Sequence, residues 1–176
     1  RGFFIEIFGG VIGVFCFYRF GFEYETILMF VIAMILLAIT MIDFDTMTIP
    51  DGLNMTMFLV CLVLMFVRQM SLVDSIIGMF CISLPMFLLN LVIPDSFGGG
   101  DIKLMFASGI ALGWKYSLLA AFIGILIAGI YCIYLILTKK VDKKGHIAFG
   151  PYLSIGIFIA LCYGYEIISW YLNLLM

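Results

Sequence analysis

The chain has 176 residues, of which 65% are hydrophobic and only 11% charged, and its formal net charge is −2. Soluble domains carry roughly 25% charged residues, so the composition excludes an ordinary soluble domain and predicts a polytopic membrane protein. Neither the net charge nor any basic run indicates a nucleic-acid partner, and the lipid bilayer is the expected surroundings. We expect one all-α, membrane-embedded domain over residues 1–176.

Seven apolar segments predict a bundle of about six to seven transmembrane helices, since a spanning helix needs about 20 residues. They cover roughly residues 3–20, 24–43, 52–69, 73–94, 101–113, 115–138 and 150–173. The fifth segment is too short to span a bilayer alone. We therefore expect it to be a tilted or partial helix that begins at a glycine run.

The orientation is predicted from the Lys and Arg residues in the loops, because the cytoplasmic side carries more of them. Six lie on one side, namely Arg1, Lys103, Lys139, Lys140, Lys143 and Lys144, and three on the other, namely Arg19, Arg68 and Lys115. The first side is predicted to be cytoplasmic. Two polar segments, residues 42–51 and 97–103, fall on it if the fifth helix returns to the outer face.

The first polar segment contains three aspartates. Asp43 directly follows an uncharged run over residues 26–42, and a carboxylate at membrane depth is by default a functional hypothesis. Asp45 lies two positions on and faces elsewhere on a helix, so we interpret it as a supporting or interfacial residue. Asp51 follows Pro50 at the start of the next helix, where a carboxylate either complements the helix dipole or takes part in function.

The second polar segment contains a run of three glycines that is followed directly by an aspartate. Gly98, Gly99 and Gly100 allow positive φ angles and close approach of another chain, as a site that accepts a peptide would need. Asp101 then stands beside that site. The alternative is a flexible linker with Asp101 as the N-cap of the next helix. Lys103 either neutralises the acidic cluster or follows the positive-inside rule.

Two carboxylates from two helix ends suggest a pair that shares a proton, activates water and protonates a scissile carbonyl. His146 is the sole histidine, so no Ser-His pair competes for this role. The cysteines stand singly in apolar stretches, and we expect no metal site. The alternative is a proton- or cation-coupled transporter, which would be expected to show internal repeats with matching broken helices.

Four blocks in this order resemble the type IV prepilin peptidases, which are membrane aspartic proteases of the GxGD type. Arg1 with Glu6 is similar to the family's Arg-x-x-x-x-Glu opening. Residues 42–51 resemble its first catalytic block, and residues 98–103 its GxGD motif followed by x-Lys. Residues 149–153 resemble its late Phe-Gly-Pro-Tyr block. The resemblance covers nearly the whole chain.

The resemblance implies that Asp43 and Asp101 are the catalytic pair, supported by Glu6, Asp45, Asp51, Gly98, Gly99, Gly100 and Lys103. It implies cleavage, without a cofactor, of the leader of prepilin or pseudopilin-like substrates. The cut would fall before the substrate's apolar helix, on the cytoplasmic side of a bacterial inner membrane. Many members also methylate the new N-terminus with S-adenosylmethionine. Longer members carry a further membrane helix and paired CxxC motifs before the Arg-x-x-x-x-Glu opening, and we expect this chain to lack both. We therefore predict that it cleaves its substrate without methylating it.

Overall fold

The computed structural model describes residues 2–94, 96–138 and 148–175, and these form six helices without a β-strand. The helices are α1 (Gly2–Phe20), α2 (Tyr24–Thr46), α3 (Asp51–Val67), α4 (Leu72–Val92), α5 (Gly99–Leu137) and α6 (Gly150–Leu175). The all-α prediction is confirmed. Arg1, His146 and the lysines of residues 139–144 lie outside the described residues, and so does most of the predicted cytoplasmic charge.

The helices have the length and composition of membrane spans. Among the described residues, four helical stretches are long and apolar enough to cross a bilayer: Tyr24–Thr46, Leu72–Val92, Gly99–Leu137 and Gly150–Leu174. Helix α3 is apolar but shorter. The prediction of a polytopic membrane bundle is therefore confirmed.

Helix α5 changes direction at Gly113. Its 39 residues would extend about 58 Å if straight, against a hydrocarbon layer of about 30 Å. Gly113 interrupts the helix with φ 66° and ψ 178°. Beyond it, Tyr116 contacts Gly164 and Ala120 contacts Gly156, so this half runs antiparallel to α6. The fifth predicted segment is therefore a separate helical stretch that ends where the sequence predicted.

The end of the bundle near Gly113 is held by ion pairs. Arg68, just after α3, pairs with Glu25 of α2 at 2.5 Å and donates to the carbonyl oxygen of Leu161 in α6 at 3.2 Å. Arg19 of α1 pairs with Glu166 of α6. These contacts tie four helices together at the end opposite to the two polar segments.

The geometry at Gly113 predicts a stability effect. Its φ and ψ lie in a region that only glycine commonly occupies, and a Cβ there would lie 2.5 Å from Oδ2 of Asp74. We expect Gly113→Ala to destabilise the protein by about 1–3 kcal/mol, measured by thermal unfolding in detergent. Gly129→Ala in the same helix is the control, because a Cβ there meets nothing within 4 Å. Equal unfolding temperatures for the two variants would contradict this interpretation.

Candidate active site

Asp43 is buried in the last turn of α2 and is held by the start of α6. Its side chain is 4% exposed, and its Oδ2 accepts a hydrogen bond of 3.0 Å from the backbone N–H of Gly150. Because Gly150 is the first residue of α6, the carboxylate lies at the positive end of that helix dipole. A Cβ on Gly150 would lie 2.7 Å from Oδ2 of Asp43. Only glycine brings the amide this close.

Asp101 is buried in the first turn of α5 and is 6% exposed. Its Oδ2 lies against Gly98, where a Cβ would be 2.9 Å away. Its Oδ1 is buried with no hydrogen-bond partner among the described residues. Buried polar atoms are nearly always hydrogen-bonded in native proteins, so this oxygen is placed for a proton, a water or a substrate group.

Ile49, from the loop between α2 and α3, packs against the starts of both α5 and α6. A Cβ on Gly100 would lie 2.7 Å from Ile49 Cβ, and a Cβ on Gly150 would lie 3.2 Å from Ile49 Cδ1. Because Gly100 directly precedes Asp101 and Gly150 contacts Asp43, this packing places both aspartates around the same side chain. Within the described ranges, no third His, Cys, Asp or Glu joins them in a cluster that could hold a metal ion. Two carboxyl groups so placed can serve as base and acid on one water.

Comparison with known proteins decides the family. A profile described as the type IV leader peptidase family matches residues 30–133, a span that contains both aspartates. The chain belongs to the type IV leader peptidase family. The resemblance predicted from the four sequence blocks is thereby confirmed.

Several relatives of this family member are bacterial proteins named prepilin leader peptidase/N-methyltransferase. That of Aeromonas salmonicida is 33% identical over 148 residues, which are 81% of this chain and 51% of the relative. That of Bacillus subtilis is 30% identical over 160 residues, 89% of this chain and 63% of the relative. The chain thus spans about half the length of the first curated relatives it matches. No solved structure matches the chain significantly.

The glycine run of this leader peptidase family member differs in part from the prediction. Gly98 is extended, with φ −63° and ψ 136°, and α5 begins at Gly99. In the described part of the chain, the glycines with positive φ are Gly21 and Gly113, so the run does not use the positive φ that its glycines allow. Gly100 packs closely on Ile49 of the same chain, while the predicted close approach of a substrate chain stays a prediction. Gly99 and Gly100 thus begin α5, with Gly98 as its N-cap, and the interpretation as a flexible linker with Asp101 as the N-cap is wrong.

The other predicted supporting residues lie outside the buried pair. Asp51, in the first turn of α3, pairs with Lys103 of α5 at 2.6 Å, and their side chains are 76% and 56% exposed. Asp45 and Glu6 are exposed. The structure therefore gathers Asp43 and Asp101 with the glycine run, while functional roles for Glu6, Asp45, Asp51 and Lys103 stay predictions.

The exposed ion pair predicts a mild phenotype for Asp51. Exposed salt bridges contribute about 0.2–1 kcal/mol, so we expect Asp51→Asn to change the rate of leader cleavage by less than about fivefold. Lys103→Gln removes the other partner of the same ion pair and should change the rate of leader cleavage by a similar factor. A loss for Asp51→Asn as large as that for Asp43→Asn would show that Asp51 belongs to the catalytic pair.

Two residues that complete the site received no role from the sequence. Gly150 is 107 residues from Asp43, and their contact became visible only in the fold. Asn54 of α3 is 5% exposed, and its Nδ2 donates to the Gly100 carbonyl oxygen at 3.3 Å. A neutral amide in an otherwise apolar helix was the available signal for Asn54, because burying an amide requires hydrogen-bond partners.

Proposed function

We propose that this chain is a membrane aspartic endopeptidase that removes the leader peptide from type IV prepilins or pseudopilin-like substrates. One observation carries the proposal. Two buried carboxyl groups, Asp43 and Asp101, lie at the same end of an apolar helix bundle, where Ile49 packs against the helix starts beside both, and Asp101 Oδ1 has no partner among the described residues. The names of the bacterial relatives supply the substrate class.

The geometry supports a division of roles between the two aspartates. Asp43 accepts the Gly150 N–H at the positive end of α6, so we assign it the base that takes a proton from water. The resulting hydroxide attacks the scissile carbonyl carbon while Asp101 donates its proton to the carbonyl oxygen. The proton held by Asp43 then passes to the leaving nitrogen as the C–N bond breaks. One hydroxyl of the tetrahedral intermediate returns its proton to Asp101 as the carbonyl re-forms in the new carboxylic acid, so both carboxyl groups regain their starting states.

We place the site on the cytoplasmic side of a bacterial inner membrane. The support is the positive-inside count from the sequence. Lys103 lies two residues after Asp101 and is exposed at the same end, whereas Arg19 and Arg68 are at the opposite end, where they form ion pairs. The substrate's apolar helix would then lie in the bilayer beside the bundle, with its leader on the cytoplasmic side.

The relatives' names also include N-methyltransferase, an activity that uses S-adenosylmethionine in this family. S-adenosylmethionine presents a ribose diol, a cationic sulfonium and an amino-acid group, all of which need polar partners. A cavity of about 450 Å³ between α3 and α5 has apolar walls, with Asn54 and the exposed Asp51–Lys103 pair as its polar groups. A second one of about 450 Å³ offers only Thr40 and Ser154. These cavities of the described chain do not fit the methyl donor.

We therefore expect the 176-residue chain to cleave a prepilin without methylating it. The measurement is transfer of a labelled methyl group from S-adenosylmethionine to a precut pilin, with a full-length relative as the positive control. Transfer at the rate of the relative would show that the helices described above carry the methylation site as well.

The function itself is tested with purified chain in lipid and a prepilin substrate. We expect the intact mass of the substrate to fall by the mass of its leader. An unchanged mass, together with proton uptake into vesicles that contain the chain, would favour the transporter alternative.

A further inference from the structure

The side-chain amide of Asn54 has a fixed orientation. A backbone carbonyl only accepts hydrogen bonds, so the group facing the Gly100 oxygen at 3.3 Å must be Nδ2. The amide oxygen, Oδ1, is therefore turned away from the Gly100 carbonyl oxygen. It is buried and has no hydrogen-bond partner among the described residues. An acceptor buried in this way requires a donor from outside the described chain.

Asn54 lies on the wall of the cavity of about 450 Å³ between α3 and α5. The other lining residues are Asp51, Met55, Phe58, Lys103, Phe106 and Ala107. Asp51 and Lys103 neutralise each other at 2.6 Å, and the remaining walls are apolar. The cavity therefore suits a neutral donor accompanied by an apolar group, rather than a cation, which would need a carboxylate of its own.

We infer that this cavity is a substrate subsite beside the scissile bond, in which Asn54 Oδ1 accepts a backbone N–H of the bound peptide. The inference rests on the proposed function. Asn54 contacts Gly100, which directly precedes Asp101. An extended peptide advances about 3.3 Å per residue, so a chain bound at Asp101 reaches Asn54 within about three residues. An adjacent apolar side chain then enters the space between Phe58 and Phe106.

The test measures how protein variants cleave substrate peptides in which single backbone amides are methylated. Each synthetic prepilin peptide in the set has one N-methylated backbone amide, and the set covers every amide within three residues of the cut. The wild-type chain, Asn54→Ala and Asn54→Ser are compared, with Thr56→Ala as the matched control on α3. The Thr56 hydroxyl donates to Gly52 of its own helix, and Thr56 does not line the cavity. Thermal unfolding in detergent verifies that each variant is folded.

We expect methylation at one amide to raise KM at least tenfold for the wild type and Thr56→Ala, and less than twofold for the Asn54 variants. A purely structural role for Asn54 would lower cleavage of all peptides alike and leave the methylation profile unchanged. That result, which a bound water at Oδ1 would also give, overturns the inference.

Ala107→Leu tests the inference independently of Asn54, because a larger side chain on α5 narrows the cavity. It should raise KM most for peptides with a large apolar residue beside the cut, and equal effects on all peptides would also overturn the inference. Absence of wild-type cleavage would instead refute the proposed function.

Discussion

Replacing either Asp43 or Asp101 by asparagine is expected to lower the rate of leader cleavage by about a hundred- to ten-thousandfold, the usual contribution of general acid–base catalysis. Asparagine keeps the shape of each side chain but cannot exchange the proton. For Asp43 the hydrogen bond from Gly150 N–H at 3.0 Å can be kept by the amide oxygen, so the packing of α2 against α6 should survive. The measurement is the single-turnover rate on a prepilin in lipid.

Folding must be verified for both aspartate variants, because loss of the fold would also abolish cleavage. We expect their thermal unfolding temperatures to stay close to that of the wild type, since asparagine neither enlarges the side chain nor buries a new charge. Asp45→Asn, two residues from Asp43 and exposed, is the matched control and should retain most activity. Robust cleavage by Asp43→Asn or by Asp101→Asn would refute the assignment of the pair.

The second large effect is expected at Gly100. A Cβ there would lie 2.7 Å from Cβ and 3.2 Å from N of Ile49, so Gly100→Val must displace either the loop or the start of α5. Overpacking a buried contact costs about 1–3 kcal/mol. We expect cleavage to fall at least tenfold, because Asp101 is the next residue and moves with the helix start.

Gly99→Val is the matched control for Gly100→Val. The two glycines are adjacent and both lie in the first turn of α5, yet a Cβ on Gly99 meets nothing within 4 Å. We expect Gly99→Val to retain activity within about fivefold, since a β-branched residue in a helix costs less than 1 kcal/mol. Equal damage by both variants would mean that the run is needed for something other than its packing on Ile49.

The sequence was sufficient to predict the helices and the end of the bundle that carries the site. Apolar length predicts spans, and the break at Gly113 follows from glycine between two apolar stretches. The common end of Asp43 and Asp101 follows from counting alternating spans. Apolar length, a glycine position and the alternation of spans can all be read along the sequence without knowing how the helices pack.

The contacts that shape the site could not be predicted in the same way. The hydrogen bond between Gly150 and Asp43 joins residues that are 107 positions apart. The packing of Ile49 between two helix starts depends on interhelical geometry that no local pattern encodes. The glycine run allowed positive φ, but its backbone is extended at Gly98 and helical from Gly99 onwards. Gly98 and Gly100 serve close packing against Asp101 and Ile49 instead.

Asp43 and Asp101 are expected to act as one unit, and the double variant Asp43→Asn/Asp101→Asn measures whether they do. Residues that work as a unit show non-additive losses. The residual rate of leader cleavage by the double variant, measured on a prepilin in lipid, should therefore equal that of either single variant. A double variant whose loss is the product of the two single losses would show that the aspartates act independently, and would contradict the account.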